Sequence, residues 1–405
     1  MRLDYTPEQQ QLRDEIRATM EQVMTPERQA AVSERVEGGP AVRECVRALA
    51  AAELLGVGWP KEFGGRGFSA IEQFIFAEEA RRVNAPIPLV TLNTVGPTLM
   101  HYGTEEQKQT FLPAILDGSV EFAIGYSEPE AGSDLASLRT TAVRGSDDPE
   151  AGWVINGQKM FTSGAAYADY IWLAARTDPN AKKHKGISIF IVPTSSPGFS
   201  WQPLHTMPGI STFYTFYDNV RVPASAIVAG ENQGWQLITT QLNFERAALG
   251  NLSALEPLFE QTLQWARDTE FDGGRVIDQP WVQLTLARVE AQVAAYKLMN
   301  LRMNAAMTKG VLNMGEASAV KVFGTELTQQ VAGQLLEVLD HNGLRRGADA
   351  PLRGALESAY RVAVISTFGG GANEIQRDII AMAGLGMPRA PRDLRATEKS
   401  GGPTQ

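Results

Sequence analysis

The chain runs to 405 residues, enough for two or three domains with a core in each. Its composition is that of an ordinary globular protein, and a net charge of −9, from 37 Lys and Arg against 46 Asp and Glu, gives no electrostatic ground for binding nucleic acid or anionic lipid. A single cysteine, Cys45, excludes an intrachain disulfide framework, and the four scattered histidines form no metal signature, so no metal is expected.

The N-terminus, Met1-Arg-Leu-Asp-Tyr-Thr-Pro-Glu, lacks the apolar core of a signal peptide, and no run in the chain is long enough to cross a bilayer. The expectation is a cytoplasmic protein without a membrane partner. Thr6-Pro7-Glu8 predicts a helix start, with Leu12, Ile16 and Met20 following on one face. That pattern breaks at the glycine-rich loop 56–67. Gly64-Gly65-Arg66-Gly67 has no strand before it and an incomplete dinucleotide fingerprint, so it reads as a turn. Helical periodicity returns from Ser69 through Ala80 and again after Thr104, closing near Gly118. Residues 1–119 are therefore assigned to an N-terminal helical domain.

From 120 to 229 the period becomes that of strands. β-branched and aromatic runs at 122–126, 153–155, 170–175, 187–192 and 213–217 are separated by turn signals, which predicts an antiparallel β domain. Asn156-Gly157 predicts a two-residue hairpin between Trp153-Val154-Ile155 and Lys159-Met160-Phe161. From 230 to 387, long helical patterns over 234–269, 279–308, 315–340 and 351–367 predict a four-helix bundle, followed by a last helix at 373–383. The tail, 388–405, is polar, broken by Pro and Gly, and expected to be disordered. The fold class is α+β.

On the first bundle helix, Ile238, Leu242, Glu245, Leu249 and Leu252 trace one helical face, which puts a carboxylate on an apolar stripe. A carboxylate taken out of water needs a partner, an altered protonation state or a chemical task. Pairing with Arg246 or a distant base is the structural alternative.

Two stretches of the β domain have the chemistry of a ligand site. Tyr126-Ser127-Glu128-Pro129-Glu130-Ala131-Gly132-Ser133-Asp134 leaves a strand through a turn of small and hydroxylated residues, whose N–H groups and hydroxyls suit a flat polar ring or a phosphate. Gln158 to Gly164 ends the next strand with an aromatic and two hydroxyls, Phe161-Thr162-Ser163. With Phe368-Gly369-Gly370-Gly371-Ala372-Asn373-Glu374-Ile375-Gln376-Arg377, and in this domain order, these stretches resemble the acyl-CoA dehydrogenase family over nearly the whole chain to about Leu385. The resemblance implies that family's fold, an N-terminal helical domain, a middle β domain and a C-terminal four-helix bundle, and FAD bound without a Rossmann motif.

It also implies roles. Tyr126 and Ser127 should meet the edge of the isoalloxazine ring, and Ser133 the pyrophosphate or the thioester end of the substrate. Phe161 stands where many relatives place a Trp beside the flavin, and Ser163 where they place a Thr reaching flavin N5. Gly132, Thr162 and Asn373 complete the implied cofactor set. In the family's reaction a carboxylate takes the Cα proton of an acyl thioester while hydride passes from Cβ to flavin N5, giving a trans-2-enoyl-CoA. An electron-transfer flavoprotein is the implied acceptor. Many members carry the base as the Glu of a Tyr-Glu-Gly-Thr segment, a position occupied here by Gly370. A minority carry it on the first bundle helix directly before an Arg, which is Glu245-Arg246 here. Glu245 is thus the implied base, with Ser133, Arg246 and Gly370 as substrate contacts.

Two segments that family members usually extend into a neighbour's flavin site depart from pattern. Asp268, within 267–273, stands where a pyrophosphate-binding Arg is usual, and Glu337 and His341 occupy the second, 337–343. These departures, with 182–188 and the three glycines, resemble the α subunits of actinobacterial heterotetrameric (α2β2) acyl-CoA dehydrogenases that act on sterol side chains as CoA thioesters. The implied partners are an acyl-CoA with a bulky steroid-derived acyl group and a β subunit. A flavin oxidase or monooxygenase of the same fold, and a non-catalytic scaffold subunit, are the competing readings.

Overall fold

The structure, a computed structural model, describes residues 5–33, 38–146, 148, 151–209, 211–250, 255–311, 313–347 and 349–389, without the side chains of 33 and 243–250. The tail expected to be disordered therefore lies outside the described residues beyond 389. Helices come first: α1 (Pro7–Val23), α2 (Pro26–Ser33), α3 (Pro40–Ala51), α4 (Ala70–Arg82), α5 (Gly96–Tyr102) and α6 (Glu105–Leu116). The start of α1 is where the sequence predicts it. Thr6 Oγ1 accepts from the Gln9 N–H at 3.2 Å, and the Gln9 side chain accepts from the Thr6 N–H at 3.0 Å. Ser69 and Thr104 close the same reciprocal cap on α4 and α6. In the glycine-rich loop, a Cβ on Gly65 would meet the Trp59 carbonyl oxygen at 2.2 Å, so chain packing accounts for that glycine. A π-helical segment, Thr91–Val95, precedes α5 and packs against the bundle; periodicity did not signal it.

Eight strands follow: β1 (Phe122–Gly125), β2 (Thr141–Arg144), β3 (Trp153–Lys159), β4 (Tyr170–Arg176), β5 (Ile187–Pro193), β6 (Phe199–His205), β7 (Ser211–Val222) and β8 (Ile227–Val228). They form one sheet in the order β6-β7-β3-β2-β4-β5-β8, with β1 also on β4. The pairings are antiparallel except those of β4 with β1 and β2, which run parallel, so the sheet is mixed at its centre. The Asn156-Gly157 hairpin does not form. Both residues lie inside β3, at a register shift against β7. Gly157 has φ +146°, and a Cβ there would stand 2.6 Å from Thr140 Oγ1. β3 is paired on one side by β2 and on the other by β7, and these non-local ladders turn a hairpin signal into a bulge.

The last third contains α7 (Gly234–Gly250), α8 (Leu255–Asp268), a short hairpin of β9 (Glu270–Phe271) and β10 (Gly274–Arg275), α9 (Pro280–Thr308), α10 (Met314–Val338), α11 (Ala355–Ser366) and α12 (Asn373–Ile379). The helical stretch predicted over 234–269 is described as α7 and α8, on either side of 251–254, which lie outside the described residues. α10 packs against α7, α8, α9, α11 and α12. One buried apolar cluster spans all three parts of the chain, from Ile16 and Phe76 through Tyr126, Trp172 and Ile189 to Leu237 and Ile238. A second fills the bundle.

Candidate active site

A buried ion pair holds the loop after β1. Lys159, the last residue of β3, is completely buried, and its Nζ donates to Glu128 Oε1 at 2.7 Å and to the Tyr126 carbonyl at 3.0 Å. Glu128 also accepts from the backbone N–H groups of Arg139 and Thr140, at 2.6 and 2.9 Å. The Met160 N–H donates to the Ser127 carbonyl at 2.9 Å. The two polar stretches therefore meet, although not as ends of adjacent strands. β1 and β3 are not neighbours in the sheet; the ion pair and this backbone bond join them. Burial alone would raise the Glu128 pKa, but the Lys159 charge and the surrounding donors outweigh it and hold the carboxyl below its ordinary value. Complete burial pulls Lys159 down to about 8, against the opposing pull of Glu128.

That depressed carboxyl has a pH signature. A group whose folded pKa lies below its unfolded one contributes stability above the unfolded value, about 4.3 for Glu, and loses it as pH falls through the folded value. The stability advantage of wild type over Glu128→Gln is therefore expected to shrink between neutral pH and about pH 3. Urea denaturation at both pH values checks this, and an advantage unchanged at low pH would count against a charged Glu128.

On the ligand side, Phe161 is 54% exposed and sits at φ +59°, a left-handed conformation uncommon for an aromatic residue and typical of functional turns. Its neighbour anchors it. The Thr162 N–H donates to the Phe213 carbonyl at 3.0 Å, and the Thr162 hydroxyl lies buried 3.3 Å from Thr215 Oγ1. Thr162, implied as a cofactor contact, thus spends its side chain inside the sheet. Ser163 is exposed, its hydroxyl donating to Thr212 Oγ1 at 3.0 Å. Ser127 is half-buried, and Gly132 and Ser133 are exposed. Among the described residues no atom lies within 4 Å of where a Cβ on Gly132 would stand.

Tyr126 differs from expectation in its ring. The side chain is buried, and its hydroxyl donates to Gln241 Oε1 on α7. Trp172 Nε1, on β4, donates to Gln241 Oε1 at 2.9 Å and to the Tyr126 hydroxyl at 3.1 Å. Indole nitrogen only donates, which fixes the amide with its oxygen toward Trp172. Tyr126 is thereby committed to the joint between sheet and bundle, and its carbonyl accepts from Lys159. Glu245 and Arg246 lie on α7, beginning one turn beyond Gln241; their side chains are among those not described, so the helix backbone alone places them. α7 packs on the π-helical segment, α5, β5 and α10.

Gly370 and Gly371, at φ +65° and +97°, form the turn between α11 and α12. Lys321 of α10, 2% exposed, ties this turn down by donating to the Gly371 carbonyl at 2.9 Å and to Asn373 Oδ1 at 2.7 Å. Asn373 Nδ2 donates to Thr325 Oγ1 and Glu326 Oε1, both at 3.1 Å. The Asn373 side chain, implied as a cofactor contact, is thus consumed within the bundle, and its backbone N–H donates to the Thr367 carbonyl at 2.8 Å. Asp268, Glu337 and His341 are exposed. Lys159, Gln241 and Lys321 were not singled out by the sequence. Gln241 had one readable signal, a position four residues before Glu245 on the same helical face.

An exposed aromatic, two exposed serines and open space at Gly132 suit a planar ring with a phosphate tail. Among the described residues no group of His, Cys, Asp and Glu could hold a metal ion, and no helix is long and apolar enough to cross a membrane.

Three family models match the chain: the acyl-CoA dehydrogenase N-terminal domain over residues 6–119, the middle domain over 123–220 and the C-terminal domain over 232–385. Acyl-CoA dehydrogenase FadE26 of Mycobacterium tuberculosis is 50% identical, covering 97% of this chain and 100% of its own length. The ChsE4-ChsE5 complex from Mycobacterium tuberculosis contains a chain of TM-score 0.90 and 49% identity, covering 96% of this chain and 100% of that one. The Tcur3481-Tcur3483 steroid ACAD gives a TM-score of 0.90 and 49% identity over the same shares.

Proposed function

Because the chain belongs to the acyl-CoA dehydrogenase family, oxidoreductases acting on a CH–CH bond of an acyl-CoA, we propose that it is the base-bearing subunit of a heteromeric, FAD-dependent enzyme for a bulky, steroid-derived acyl-CoA. The observation that carries this reading is Glu245-Arg246 on α7, at a helix tied through Gln241 to the loop after β1, in a chain with glycine at 370. The family is FAD-dependent in general, and bound FAD would supply the hydride acceptor.

The protein's own part is to hold, orient and deprotonate. The Tyr126 and Ser127 backbone, Ser133, Phe161 and Ser163 would hold the flavin, with Phe161 offering its ring as a stacking face. Glu245 takes the Cα proton, a task that desolvation assists by raising the basicity of a carboxylate. As enolate charge develops on the thioester oxygen, backbone N–H groups at Gly370 would stabilise it, and the absent side chain leaves room for the acyl end. Arg246 contributes positive charge beside the base.

Two observations support a partner subunit. Exposed acidic groups at Asp268 and Glu337 oppose the diphosphate that a donated half-site would have to hold. Tyr360, Val364, Phe368 and Ile375 expose apolar surface along α11 and α12, the kind of patch a neighbouring chain covers. Both structural relatives carry two different names, ChsE4-ChsE5 and Tcur3481-Tcur3483, and the second is a steroid ACAD. Expressed alone, the chain is expected to purify with little FAD; co-expression with a β subunit from a neighbouring gene should raise flavin content and give steroid acyl-CoA-dependent bleaching, read by absorbance. A flavin-replete, active homomer overturns the heteromer. Preference for straight-chain over steroid acyl-CoA overturns the substrate class alone.

A further inference from the structure

Away from that site, α1, α4, α8 and α9 enclose a cleft of about 300 Å³, at the small end of the range for small-molecule sites. Four of its cations face carboxylates. Arg13 and Arg17 reach Glu79 at 2.7 and 2.9 Å, Arg82 lies 3.6 Å from the same carboxylate, and Lys297 bridges Glu78 and Glu256 at 3.1 Å each. Arg81, half-buried on α4, has no ion pair and no side-chain hydrogen bond among the described residues, and its Nε is sealed from solvent. Burial pulls it down to about 10, so it remains a cation at neutral pH. A donor sealed from water without an acceptor is costly, the more so on a charged group.

The opposite wall supplies a second unpaired group. Asn300 on α9 is 2% exposed, and its Nδ2 donates to the Tyr296 carbonyl at 3.0 Å, which fixes the amide orientation. Asn300 Oδ1 is then a buried acceptor without a donor among the described residues. A bare halide would answer only Arg81, and a water molecule would answer Asn300 while leaving the charge uncompensated. An anion with its own O–H answers both.

We propose that this cleft is a binding site for a small hydroxylated oxyanion, either a phosphate carrying a proton or a hydroxy acid, held by Arg81 and Asn300 between the N-terminal helices and the bundle. The site is separate from the acyl-CoA site and does not depend on the reading given for it. A ligand held by α4 and α9 together bridges two parts of the fold, so its binding stabilises the native chain by mass action.

The test is thermal unfolding of the full chain at neutral pH with inorganic phosphate, glycerate or acetate added over a chloride background of constant ionic strength. A saturable rise in Tm of about 3 °C with phosphate or glycerate, beyond that with acetate, is expected in wild type. Arg81→Gln should abolish the rise and Asn300→Ala should diminish it. Removing a cation that has no ion-pair partner among the described residues should leave Arg81→Gln at least as stable as wild type without ligand, so loss of the response would not reflect misfolding. A phosphate response alone assigns the site to phosphate, and a glycerate response alone to hydroxy acids. Equal responses in wild type and Arg81→Gln would mean an adventitious ion only and overturn the proposal, as would no response beyond acetate.

Discussion

Glu245→Gln is expected to lower acyl-CoA-dependent reduction of the bound flavin by about 10²- to 10⁴-fold while leaving the flavin in place, the usual effect of removing a general base. Glutamine keeps the size and hydrogen-bonding reach of the side chain and loses its ability to accept the Cα proton. The alternative position offers no ready substitute. Gly370 stands at φ +65°, where an L side chain is strained, so a carboxylate placed there would have to deform the turn that Lys321 holds. Stopped-flow bleaching of the flavin in the assembled enzyme checks this, together with the absorbance of bound FAD. Bleaching at the wild-type rate would remove Glu245 from the mechanism.

Lys159→Met is expected to cost about 3–5 kcal/mol of stability, the penalty for breaking a buried pair and stranding one partner. Glu128 would keep its N–H donors from Arg139 and Thr140 but lose the only ion-pair partner found for it among the described residues. The Tyr126 carbonyl would lose its donor at the same time, and Tyr126 precedes the loop proposed to meet the flavin. Flavin content should therefore fall along with stability. Replacing both partners, Lys159→Met with Glu128→Leu, should recover part of the stability, because no charge is then left buried and unpaired. Urea denaturation of the two single variants and the double variant measures this, and simple additivity would contradict the coupling.

Local rules were legible wherever local chemistry decided the outcome. The caps at Thr6, Ser69 and Thr104 involve residues three apart, and the helices begin there, as the sequence predicts. The Asn156-Gly157 signal is equally local, but β2 and β7 pair both edges of β3 and override it. Of the residues that the resemblance implies for the site, Ser133, Phe161 and Ser163 are exposed, whereas Tyr126 and Thr162 turn their side chains inward, which no local pattern signals. Lys159 was illegible for a different reason. A lysine at a strand end ordinarily reaches water, and nothing nearby reveals that its partner lies 31 residues earlier in the chain. Gln241 meets Tyr126 across 115 residues, a separation that no periodicity spans.

The apolar cluster running from Ile16 through Trp172 to Ile238 disregards the borders near 119 and 229. A fragment cut at either border would bare one wall of that cluster to solvent and forfeit the burial that makes each part fold. The three recognisable segments therefore share a wall of core rather than each closing its own, and an excised middle segment is expected to be cut by proteases faster than the same segment in the whole chain.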